Sequence, residues 1–190
     1  FGAEVIKVEQ PGVGDGARRM GPYPGDLPHP EKSGLFLHLN TNKKSITLNL
    51  QSRTGAGLLR KLARSADILV ESFEPGVMAR LGLSYEVLGQ ENPRLIMTSI
   101  TPFGQTGPYA RFKSSNIVLM AMGGLMYVTG DQGQEPLKTG GTVAEYIGGL
   151  NAFTSTLIAL WHRDSAGLGQ LSIAGLQRHR GINEGDGFHP

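Results

Sequence analysis

The stretch Asp67-Ile-Leu-Val-Glu-Ser-Phe-Glu-Pro-Gly-Val-Met-Ala-Arg-Leu-Gly82 decides how the rest of the chain is read. Ile68, Leu69 and Val70 form a short continuous apolar run bounded by Asp67 and Glu71, the pattern of a strand buried on both faces of a parallel sheet. The run gives way to Ser72-Phe-Glu-Pro-Gly76, where Pro75 is well placed to open a short helix near its first turn. In open α/β sheets, ligands bind beyond the carboxyl ends of the strands, beside loops of this kind. Arg80, one turn into that helix, would then face an anion. An ordinary strand-turn-helix connection with a solvated arginine accounts for the same residues equally well.

Outward from this stretch, strands and helices alternate. Val5 to Val8 read as a strand, Leu35 to Leu39 as an apolar segment and Ser45 to Leu50 as an alternating strand. Ser52 caps a helix with Leu58, Leu59, Leu62 and Ala66 on one face. On the other side, a helix runs from Ser84 to Gln90, Asn92-Pro93 stops it, and Leu95 to Ile100 make the next buried strand. This alternation predicts an α/β fold with a mostly parallel sheet. From Thr101 to Asn116 the chain cannot be regular. Its segment Phe103-Gly-Gln-Thr-Gly-Pro-Tyr109 again follows a strand's carboxyl end and should share a rim with the loop at 72–76.

Composition sets the outer bounds. The chain has 190 residues, 39% of them hydrophobic and 18% charged, enough to bury the core of roughly one domain. A net charge of +2 gives no argument for nucleic acid. The local pairs Arg18-Arg19 and Lys43-Lys44 suit a phosphate-bearing ligand as well as a solvated surface. With no cysteine there is no disulfide framework, thiolate nucleophile or thiolate metal site, which fits a cytoplasmic enzyme. Neither a signal peptide nor an apolar run approaching a membrane span is present in the sequence. Gly12-Val-Gly-Asp-Gly-Ala17 matches a dinucleotide fingerprint, but the segment after it, Met20 to Pro30, is too rich in proline and glycine to be the helix that fingerprint must open. It reads as a surface loop from which Arg18 or Arg19 could approach phosphate, with His29 solvated.

Thr142 to His162 reads as a long helix. Val143, Ile147, Leu150, Leu157 and Trp161 give it a largely apolar circumference, and Ala144, Gly148 and Ala152 give it one narrow side for close approach, so it is expected to be buried. Glu145 is the odd residue, a carboxylate in the first turn, where the helix end favours negative charge. The same position also suits an acid satisfied by free backbone amides. His38, His162 and His179 carry no motif.

Several separated motifs together resemble the class III coenzyme A transferases, the family of formyl-CoA transferase, carnitine CoA-transferase and α-methylacyl-CoA racemase. They are Gly2 to Glu9, Leu39 to Leu48, Asp67 to Gly82, Asn92 to Ile96 and Phe103 to Tyr109, and the match extends to about Gln170. The resemblance implies a Rossmann-like, mostly parallel sheet flanked by helices, incomplete because the first strand and helix and the C-terminal small domain are missing. Residues 1–170 would be a partial large, CoA-binding domain and 171–190 a divergent or disordered tail.

It further implies transfer of coenzyme A from an acyl-CoA thioester to a carboxylic acid acceptor, with no metal. The family's catalytic carboxylate, usually aspartate, aligns with Glu145. CoA would be held near Leu48, touched by Ser72 and Phe73, and lined by Arg80 and Lys113. The partners implied are small molecules, with no nucleic acid and no membrane, and an interlocked homodimer in the full-length parent. Racemases of the family resemble one another in a His-Asp pair where this chain has Ser115-Asn116, neither of which takes a proton at neutral pH, so transfer ranks above racemisation. A catalytically inactive CoA-binding fragment is the other alternative. In Asp164-Ser-Ala-Gly-Leu-Gly-Gln170, which resembles the family's turn after the long helix, Leu168 replaces the basic residue expected between the glycines.

Overall fold

The computed structural model describes residues 2–175. Two compact units divide the chain between Leu62 and Ala63. The first pairs β1 (Ile6–Glu9) with β2 (Lys44–Thr47) in parallel, Ile6 opposite Lys44 and Glu9 opposite Thr47. Between them Leu35 to Leu39, read from sequence only as an apolar segment, lie within a helix, α1 (Gly34–Asn40), whose start is fixed by Ser33: its Oγ accepts the Phe36 N–H at 3.1 Å. Ser52 caps α2 (Arg53–Ala63) as the sequence predicts, Oγ accepting the Gly55 N–H at 3.0 Å. The buried positions of α2 are Gly55 and Ala63, while Leu58 is exposed. A Cβ on Gly55 would lie 2.0 Å from the Asn49 carbonyl oxygen, so only glycine lets this turn close.

The second unit holds a three-stranded, all-parallel sheet in the order β3 (Ile68–Glu71), β4 (Ile96–Thr101), β5 (Leu171–Gly175). Between β3 and β4 lie α3 (Val77–Arg80) and α4 (Tyr85–Glu91), and between β4 and β5 lie α5 (Asn116–Met122) and α6 (Val143–Ala166). Parallel strands joined through helices give the α/β architecture the alternation predicts.

Burial differs between strands. Only β4, the central one, is buried almost throughout, with Ile96 and Thr98 fully enclosed and Leu95 just before it as well. β3 is not buried on both faces as its apolar run suggests: among the described residues it has one hydrogen-bonded neighbour, Ile68 and Leu69 are half-buried and Val70 is 59% exposed. The boundary expected after Gln170 falls directly before β5. Leu171–Gly175 pair in register with Met97–Thr101, because the turn at Gly167 and Gly169 returns the chain beside β4. The remainder of the expected tail, 176–190, with His179, lies outside the described residues.

That turn is built with little room. Gly167 ends α6 in the left-handed region (φ 77°) and donates its N–H to the Arg163 carbonyl at 2.7 Å. A Cβ on Gly169 would sit 2.0 Å from the Leu95 carbonyl oxygen.

Two contacts fix the direction of α6. Thr156 and Thr98 share a buried 2.7 Å hydroxyl hydrogen bond at mid-strand. Near the helix's far end, Arg163 is buried and reaches Asp67 Oδ1 at 2.9 Å and the Arg94 carbonyl at 3.3 Å, both just before the amino ends of β3 and β4. The helix therefore runs antiparallel to the strands, and its first turn lies on the side of their carboxyl ends.

The small-residue side of α6 packs as predicted: Ala144, Gly148 and Ala152 are buried, followed by Thr156, Ala159 and Arg163. The rest of the circumference is not buried. Leu150 is 64% exposed, Ile158 61% and Trp161 78%. A pattern of apolar residues all round reports a lack of polar preference, but only one face meets this sheet.

Candidate active site

Glu145 is the third residue of α6, on a first turn preceded by a tight loop. Lys138 Nζ donates to the carbonyls of Thr139 and Gly141, each at 2.9 Å. Thr142, the N-cap, makes no side-chain cap bond. The spacing Thr142-Val-Ala-Glu145 suits a reciprocal capping box, yet no such box forms. Instead Glu145 Oε2 accepts a hydrogen bond from Nδ2 of Asn116, the first residue of α5. No backbone amide and no cation among the described residues bonds to this carboxylate, so its oxygens are not consumed by the helix start. The burial expected of this helix does not reach Glu145, which is exposed while its neighbours Ala144 and Gly148 pack inward.

Asn116 is oriented by this one contact. Its Nδ2 meets the carboxylate, while its Oδ1 is buried without a hydrogen-bond partner. Sequence reasoning used Ser115-Asn116 only to argue against racemisation, and nothing in the local pattern pairs residue 116 with a residue 29 positions later.

Beyond β4, the loop at 102–115 is held down by aromatic rings. The Phe103 and Tyr109 centroids are 6.3 Å apart, and Tyr109 meets Phe112 edge-on at 5.1 Å. Phe103 also packs against the buried cluster that Leu119 and Met120 of α5 form with Ala144 in the first turn of α6. Gln105 Nε2 donates to Ser99 Oγ at 2.6 Å, anchoring the loop to β4 itself. Lys113 follows Phe112 and is exposed, with no acid paired to it among the described residues.

Beyond β3, the buried Glu71 carboxylate accepts the Phe73 N–H at 2.8 Å and turns the chain sharply. Ser72 is exposed and Phe73 partly so. Gly76, at φ 82°, precedes α3, whose last residue, Arg80, is exposed and free of acidic partners among the described residues. Ser72 and Phe73, Lys113 and Glu145 therefore all lie toward the carboxyl side of one sheet, with Arg80 a single helical turn beyond the first of these loops. Thr156 marks mid-sheet, and the helix start at Glu145 stands about 16 Å further along the axis at 1.5 Å per residue.

Leu48 belongs to the first unit. It is half-buried just past β2, its N–H donating to the Glu9 carbonyl at 3.0 Å. In the same unit Arg18 is not a free phosphate-binding cation. Its Nε and Nη2 grip Glu9 at 2.8 and 3.0 Å, its Nη1 reaches Glu31 Oε1 at 2.7 Å, and its guanidinium lies 3.8 Å over the Phe36 ring. Glu9 also accepts the Ser45 hydroxyl and the Asp15 N–H, both at 2.8 Å. The Arg18 hydrogen bonds hold the Glu9 carboxyl down to about 2, against the cost of its burial. The other basic residues of the Arg18-Arg19 and Lys43-Lys44 pairs are also engaged: Arg19 donates to the Val13 carbonyl at 2.8 Å, Lys44 pairs with Glu4 at 2.6 Å and Lys43 donates to Asn40 Oδ1 at 3.1 Å. The glycine fingerprint opens a single 3-10 turn, Gly16–Arg19, rather than a helix.

Comparison with known proteins gives one consistent result. The sequence pattern described as CoA-transferase family III matches residues 1–177. The chain is 42% identical over 170 residues to acetyl-CoA:oxalate CoA-transferase of Acetobacter aceti, covering 89% of this chain and 42% of that protein. It is 40% identical over 172 residues to succinate–glutarate CoA-transferase of Agrobacterium fabrum, covering 90% and 43%. The chain thus spans less than half the length of these relatives. Among solved structures, a CAIB/BAIF family protein from Brucella suis superposes with a TM-score of 0.84 at 37% identity, covering 93% of this chain and 46% of that one.

Proposed function

Because this chain belongs to CoA-transferase family III, we propose that the complete protein carrying it moves coenzyme A from an acyl-CoA thioester to a carboxylic acid, with Glu145 as the nucleophile. The observation that carries this reading is the state of Glu145: an exposed carboxylate on the carboxyl side of a parallel sheet, whose side-chain partner is a neutral amide rather than a cation or helix amides.

The steps follow from carboxylate chemistry. A Glu145 oxygen attacks the thioester carbonyl, forms a mixed anhydride and expels CoA thiolate. The thiolate attacks Cδ of Glu145, giving an enzyme thioester and releasing the donor's carboxylic acid as its carboxylate. The acceptor carboxylate attacks the same carbon, regenerating anhydride and thiolate. The thiolate then takes the acceptor's acyl group, and Glu145 returns as a carboxylate. No redox partner or metal enters the balance. Arg80 and Lys113 hold the negatively charged nucleotide end of CoA, and Ser72 and Phe73 touch the nucleotide. The relatives' names point to short dicarboxylates as acceptors, and we extend that class to this protein.

The complete protein is cytoplasmic, in keeping with acyl-CoA substrates, and an interlocked homodimer. The exposed apolar residues along α6 support an assembly that covers them.

The experiment supplies the complete protein with acyl-CoA, traps with hydroxylamine and maps the product by mass spectrometry. A hydroxamate on Glu145 is the expected result. A hydroxamate elsewhere overturns the mechanism, α-proton exchange without acyl transfer points to the isomerase chemistry of the same family, and CoA binding without any adduct points to a silent binding module.

A further inference from the structure

Asn116 begins α5 with its amide oxygen buried and unpartnered and its amide nitrogen on Glu145 Oε2. An amide placed only to start a helix would turn toward backbone or solvent. Here the carboxylate is the one group that satisfies it, and an ionised carboxylate accepts only from the NH2 end.

We propose that Asn116 is a catalytic residue that donates its Nδ2–H to the Glu145 oxygen which carries negative charge when the enzyme's own carbonyl is attacked. This inference rests on Glu145 being the nucleophile. With Oε2 engaged by the amide, Oε1 is the oxygen that attacks the acyl-CoA carbonyl. When thiolate attacks Cδ of the resulting anhydride, the C–S bond forms and the C=O electron pair moves onto Oε2. On collapse the Cδ–Oε1 bond breaks, and Oε1 leaves with the donor's carboxylate. When the acceptor carboxylate attacks the enzyme thioester, charge returns to the same Oε2 and the C–S bond breaks. Both events place an oxyanion against one preset N–H, the arrangement that stabilises tetrahedral intermediates. Phe103 of the loop packs against the cluster of Leu119, Met120 and Ala144, which joins the helix that carries the donor to the first turn that carries Glu145.

The test compares Asn116→Asp with Asn116→Ala in the complete protein. Aspartate keeps the size of asparagine and is favoured in the first turn of a helix, so a helix-starting role survives that substitution. It has no N–H to offer, so a donor role does not. The expected result is a loss of about a hundredfold in kcat for both variants, with KM for acyl-CoA changed less than about twofold and CoA binding retained by calorimetry. Wild-type kcat in Asn116→Asp overturns the inference, as does a rise in KM alone. Hydroxylamine mapping on the wild type separates the two claims. A Glu145 adduct with an unaffected Asn116→Asp variant removes the donor and leaves the nucleophile, whereas a wild-type adduct at another residue removes both.

Discussion

Glu9, at the carboxyl end of β1, accepts hydrogen bonds from the Arg18 guanidinium, the Ser45 hydroxyl and the Asp15 amide, and is buried. Glu145, in the first turn of α6, accepts one amide hydrogen from Asn116 and otherwise faces solvent. Each sits at the end of a regular element, and either could be read from sequence as a functional acid. The difference lies in how the lone pairs are used. A carboxylate whose oxygens are filled by a bidentate guanidinium and two further donors holds a fold together, and one with a free oxygen keeps its nucleophile. The same contrast separates the cations: Arg18 is committed to Glu9 and Glu31, while Arg80 and Lys113 have no acid on them among the described residues.

Substitution can break this comparison most directly at Glu145. Glu145→Gln is expected to lower kcat on the order of ten-thousandfold, the scale seen when a group acting in the covalent steps is removed. Its unfolding free energy should stay within about 0.5 kcal/mol of wild type, as for a surface change. Equal losses of activity and stability, read from kinetics and urea unfolding of one preparation, would erase the distinction. Glu9→Gln should do the reverse and cost about 3 kcal/mol of stability, since its carboxyl titrates at about 2 against an ordinary 4.5.

The sign of that effect is also testable. A depressed carboxyl stabilises the fold above its unfolded value, so Glu9's contribution is full at neutral pH, begins to fade near pH 4.5 and is lost as the pH falls through about 2. Urea midpoints of wild type and Glu9→Gln should converge over that window, and parallel curves would remove Glu9 from the account. The smallest expected effect has the opposite sign. Gly149 is an exposed residue within α6, and a Cβ there meets no atom within 4 Å. Gly149→Ala should raise stability by about 1 kcal/mol. A loss in thermal unfolding would mean that the exposed side of α6 lacks the space seen here.

Much of the fold was legible because its signals are local. The Ser33 and Ser52 positions show why: a hydroxyl reaching an amide two or three residues on depends on nothing distant. Ser52 was read correctly as a cap. Ser33 was missed because Gly34 and the short apolar run after it do not show helical spacing over a long enough window. β3 and α6 mark the limit. Ile68, Leu69 and Val70 have the apolar continuity of a central strand, yet among the described residues β3 has one hydrogen-bonded neighbour and Val70 is exposed. Trp161 and Leu150 have the composition of a buried helix, yet the sheet meets only the side bearing Ala144, Gly148 and Ala152.

In the candidate site, residue type and position marked Glu145 at the start of a helix, the loops after β3 and β4, and Arg80, while Lys113 and the catalytic role of Glu145 came from the family resemblance. Only the tertiary structure decided that Arg18 is spent on Glu9, that Glu145 meets Asn116 rather than its own helix amides, and that the helix bearing it is half open to solvent. The reason is physical. Charge and periodicity belong to single residues and short windows, but whether an oxygen or a face is free depends on which distant group the folded chain brings against it.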